Sequence, residues 1–149
     1  MKDIEADLIN IKKEFYRYRN GVIADTLRKS YPEYQLIFGL ILPQIAEIAS
    51  KYSKNLELAN ALWHRKECRE NRILALYIMP VNALNKDEVE KLIKDLSTFE
   101  EAEILNFKIL RFLPFANSLI KEFEVSDGNV GKFHNRAISL LKKSIESQN

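Results

Sequence analysis

Apolar residues recur along this chain mostly at three- and four-residue steps, the spacing that gathers side chains onto one face of a helix. Ile4, Leu8, Ile11 and Phe15 keep that step through the opening segment, and Gly21 interrupts it before a short second helix near 22–29. "SYPEYQLIFG" breaks the period and reads as a loop. Pro43 suits the first turn of a helix, where its missing N–H costs nothing, so "PQIAEIASKY" should run to about Tyr52. Asn55 is placed to cap "LELANALWH", ending near His64, and "ECRENRILALYIM" is stopped by Pro80. Asn85 and Glu88 have capping-box spacing ahead of "KDEVEKLIKDL". Thr98 and Glu101 repeat it at the start of "STFEEAEILNFKILRFLPFA", which Pro114 closes. "FANSLIKEFEV" and "GKFHNRAISLLKKSIES" complete about nine helices, with "SDGN" as the turn between them and a fraying "ESQN" tail.

Such short helices cannot each bury a face alone. They gain stability by stacking pairwise, so the pattern points to an all-α fold, either a HEAT-like helical repeat (α-solenoid) or a closed bundle. No repeat is exact enough to choose between them. Four Gly and four Pro among 149 residues are too few for a turn-rich β-sandwich, and the length suits a single domain over 1–149.

Charge narrows the function only slightly. Twenty-three Lys plus Arg against 21 Asp plus Glu leave +2, so any basic surface must be local. Two stretches place cations beside aromatic rings, "IKKEFYRYRN" and "WHRKECRENR", yet acidic residues interrupt both, and a solvated helix face is the favoured explanation of each. The opening segment is too charged for a signal peptide and no apolar run approaches membrane-spanning length, so no membrane partner and a cytoplasmic location are expected. The lone Cys68 fits a reducing compartment and reads as a buried, inert thiol. With His64 and His134 it lacks the paired spacing of a zinc site, so no metal and no cofactor are expected. Gly-rich phosphate loops and nucleophile elbows are absent from the sequence.

One stripe stands out within this plain pattern. Phe99, Glu103 and Phe107 recur every fourth residue, setting a carboxylate between two rings. Physics alone allows two readings: Phe99 as core with Glu103 at its solvated boundary, or a retained binding or catalytic face. Arg136 likewise could grip a phosphate or pair with an acid on a neighbouring helix.

The order of landmarks adds to this. "FGLILPQIAEIASKY", "LELANALWHRKECRENRILALYI", "STFEEAEI" and "RAISLL" follow one another between Phe38 and Leu141. In that order they resemble the DNA alkylation repair family, the AlkD-like alkylpurine DNA glycosylases, which are HEAT-like repeat proteins. Phe38, Gly39 and Pro43 match the family's aromatic-glycine and helix-opening proline; Leu62, Trp63, Glu70 and Arg72 match its Leu-Trp pair and Glu-x-Arg helix.

Active members carry a tryptophan, an aspartate four residues on, and an arginine about one helix pair later. The resemblance puts Phe99, Glu103 and Arg136 at those places. It implies Glu103 as the catalytic carboxylate, Phe99 and Arg136 as substrate and DNA contacts, and DNA as the partner. The implied reaction is loss of a positively charged N-alkylated purine from its sugar. The alternative is a non-catalytic helical-repeat scaffold that binds protein, nucleic acid or a second copy of itself.

Overall fold

The computed structural model describes residues 4–125 and 131–147, so the expected "SDGN" turn and the last two residues of the "ESQN" tail lie outside the described residues. Among the described residues the chain forms nine α-helices and two short 3-10 turns. The all-α expectation holds. Packing divides the chain at Pro80, the proline read above as a helix stop, into two compact units, Met1–Pro80 and Val81–Asn149.

In the first unit α1 (Ile4–Tyr18), α2 (Gly21–Ser30), α3 (Leu42–Ser50), α4 (Leu56–Trp63) and α5 (Arg69–Ile78) follow in order. Helix α5 packs against α4 and α3, while α1 lies on α3 and α4. Asn20 and Asn55 cap α2 and α4 by accepting backbone N–H groups, and Gln44 reaches back to the Ile41 N–H at the start of α3. Helix α3 stops at Ser50, slightly short of the expected Tyr52.

Glu70 and Arg72 hold this unit together from inside. Both are fully buried, so neither belongs to the solvated helix face that the sequence allowed for this stretch. Glu70 accepts backbone N–H bonds from Phe38, Gly39 and Leu40 at 2.9, 3.1 and 3.3 Å. Arg69 bonds the same carboxylate at 2.8 Å and the Leu40 carbonyl at 2.7 Å. The loop before α3 is thereby fastened to the N-terminus of α5, where a carboxylate is also favoured by the helix dipole. Gly39 is required there: its φ is +92°, and a Cβ would stand 2.1 Å from the Asn20 carbonyl oxygen. Arg72 lays its guanidinium 3.4 Å from the centre of the Trp63 ring and donates to the Trp63 carbonyl at 2.8 Å. Cys68, buried beside Glu70, has its thiol pushed up to about 12, chiefly by burial.

The second unit contains α6 (Lys86–Lys94), α7 (Phe99–Lys108), α8 (Ala116–Val125) and α9 (Lys132–Glu146). Helix α9 is its hub, packed against α6, α7 and α8 and burying Ala137, Ile138 and Leu141. The capping box at Asn85 and Glu88 forms as its spacing indicates. Helix α7 ends at Lys108, earlier than Pro114. A 3-10 turn at Leu110–Phe112 fills the interval. The cause is ordinary: proline forbids the last helical turn, and the chain tightens to shorter-range bonds before it.

Candidate functional site

Helix α7 is buried around most of its circumference, with Glu101, Ala102, Ile104, Leu105 and Asn106 all enclosed. Thr98 begins it by accepting the Glu101 N–H, and the buried Glu101 carboxylate accepts the Ser97 N–H at 2.9 Å. That anchoring fixes the rotation of the helix. The positions left open to solvent are Phe99, Glu103 and Phe107, the stripe the sequence set apart.

Phe99 is 44% exposed and Phe107 52% exposed, so Phe99 is not a core residue and the first of the two readings fails at that point.

Helix α9 supplies the facing side chains. The Arg136 Nη2 lies 3.5 Å from the Glu103 Oε1, with both side chains roughly half exposed. One turn away, the Phe133 ring meets the Phe99 ring edge-on, 5.0 Å between centres. The Lys132 Nζ stands 5.8 Å from the Phe99 ring centre and 5.1 Å from that of Phe133. The structure therefore brings Glu103 and Arg136 together directly and joins Phe99 to the same pair of helices through Phe133.

An ion pair this open contributes only about 0–1 kcal/mol, because water screens it and two long side chains must be held. Arg136 can thus leave Glu103 for a phosphate at little cost. Glu103 can in turn accept a water proton or face a developing cation once water is displaced.

Sequence reasoning missed Lys132 and Phe133, although the stretch "GKFHNR" places them three to four residues before Arg136, on its helical face. It also passed over Arg111, which continues the four-residue step from Phe107 and donates its Nε–H to the Phe107 carbonyl at 2.8 Å. The two basic stretches fare differently. In "IKKEFYRYRN", Arg17 sits over Tyr18 and Arg19 over Tyr16, at 5.4 and 5.9 Å. In "WHRKECRENR", Trp63, Arg69 and Arg72 are interior and cannot meet a ligand.

Among the described residues no cluster of three or more His, Cys, Asp or Glu side chains could hold a metal. No described helix is long and apolar enough to cross a membrane.

Comparison with known proteins gives one clear result. The family described as DNA alkylation repair enzyme matches residues 11–123, a span that includes the Glu70 hub and all of α7. No curated protein and no solved structure gives a match.

Proposed function

Because this chain belongs to the DNA alkylation repair enzyme family, we propose that the exposed stripe of α7 faces alkylated DNA and that Glu103 serves removal of positively charged N-alkylated purines. The observation that carries the reading is the exposure of Phe99, Glu103 and Phe107 on a helix otherwise buried, with Arg136 set 3.5 Å from the carboxylate.

In the reaction the bond between sugar C1′ and the purine nitrogen breaks, and its electron pair leaves with the base, cancelling the positive charge. Glu103 stabilises the oxocarbenium ion that remains. Water then adds at C1′ and gives its proton to the carboxylate. Phe99 and Phe133 offer ring faces to the cationic base, an attraction of order 1 kcal/mol that grows when water is excluded. Arg136, released from Glu103, binds a flanking phosphate with its planar fork.

The test is release of free base from DNA containing N7-methylguanine or N3-methyladenine. Wild-type protein should release base, and Glu103→Gln should lose at least about a hundredfold in rate while still binding the DNA, by analogy with removal of a charge-stabilising group elsewhere. Release that ignores the substitution would contradict the assignment of Glu103.

One observation favours the second reading, a non-catalytic DNA-binding scaffold. The Glu103 side chain is 52% exposed and already paired, whereas a working carboxylate gains most where water is kept out. Tight binding without release by the wild-type protein would select it.

A further inference from the structure

Beyond the Glu103 stripe, the chain between α7 and α8 carries a second arrangement of rings and charge. Phe107 and Phe112 are 52% and 57% exposed, and the Arg111 guanidinium carbon lies 4.5 Å from each ring centre. Its Nε–H is fixed to the Phe107 carbonyl, which holds the planar group against both rings. The other four N–H donors make no ion pair or hydrogen bond among the described residues. The Lys108 Nζ lies 5.5 Å from the Phe107 ring, adding positive charge near it.

We propose that Phe107, Arg111 and Phe112 form a platform for an unstacked nucleobase of the bound DNA, with Arg111 taking the adjoining phosphate. The proposal rests on the DNA reading of the neighbouring stripe and specifies a contact beyond it. Each part has a chemical reason. A phosphate alone would not use two open phenyl rings, whereas a base offers a π face that stacks on them whatever its identity. A paired base in a duplex has both faces covered by its neighbours, so only an unpaired or extruded base presents one. An apolar protein partner would gain nothing from a guanidinium set against the rings, while a nucleotide satisfies ring and cation together.

Phe99 and Phe107 are eight residues apart, about 12 Å along the helix, or between three and four base steps. One strand can therefore meet both, its lesion at Phe99 and Glu103 and a displaced base at the platform.

The experiment compares affinity for two DNA molecules of equal length and phosphate count, one fully paired and one with a central unpaired base. Wild-type protein should favour the second by about tenfold. Phe112→Ala should bring that ratio close to one, and Phe112→Trp should restore it, an outcome that a purely structural role for Phe112 would not give. Arg111→Lys, keeping the charge but losing the plane, should lower the ratio while leaving the salt dependence of binding as it was.

A wild-type ratio near one, with firm binding to paired DNA, overturns the platform and spares the function proposed above. Absence of any DNA affinity at low salt overturns both. Concentration-dependent dimerisation abolished by Phe112→Ala would assign the rings to a second copy of the chain instead.

Discussion

A single carboxylate at residue 70 does for the first unit what a disulfide does elsewhere: it ties the loop before α3 to the start of α5 through three amide protons and Arg69. Removing one member of such a buried charged set leaves the others unpaired, which costs about 3–5 kcal/mol. Glu70→Ala should lower unfolding stability by that order, read as a shift in the urea midpoint. Gly39→Ala is expected to be comparably severe, since the new methyl group has no room and the backbone sits at positive φ. The caps at Asn55, Asn85 and Thr98 were legible in the sequence because a cap bonds within three residues of itself. Glu70 was not legible in that way, as the backbone N–H groups it binds lie 30 to 32 positions earlier and only the fold brings them together. As a resemblance it was visible; as physics it was not.

At the level of elements, periodicity located the described helices well and their ends less well. Helix α7 illustrates the difference: its start follows from Thr98, whereas its end at Lys108 depends on how the chain tightens ahead of Pro114. Its exposed stripe was visible as a four-residue step. Which side of that step faces water was not, because only packing against α9 decides it.

Helix α9 also carries a titratable group held in an unfavourable setting. The His134 ring lies against Phe123, and its Nδ1 is buried without a hydrogen-bond partner among the described residues. Burial, aided by the nearby positive charge of Lys94, holds its pKa below the usual value. The unfolded chain then takes up the proton more readily, so the native state loses stability as pH falls from about 6.5 toward the lowered folded value, and is unaffected by this group above that range. Urea midpoints at two pH values straddling that window should differ in this sense, and His134→Gln should shrink the difference.

For the molecule as a whole, a net charge of +2 supplies no long-range pull on DNA, and affinity must come from a few placed cations. Lys132, Arg136, Lys108 and Arg111 are the ones beside the exposed rings of the second unit. Removing one cation that neutralises a phosphate should flatten the dependence of log affinity on log salt by about one unit, so Arg136→Gln should reduce the slope by that amount and weaken paired and unpaired DNA alike. Composition told fold class and excluded strong fields. It could not tell that Phe99 and Glu103 would meet Phe133 and Arg136, which α7 and α9 bring together from distant parts of the chain.

The most direct measurement is therefore a backbone and side-chain chemical-shift map of the protein titrated with a short methylated duplex. If the α7 stripe faces the DNA, the largest changes fall on Phe99, Glu103, Phe107, Phe133 and Arg136. Changes confined to residues 11–20, with the α7 stripe silent, would contradict it.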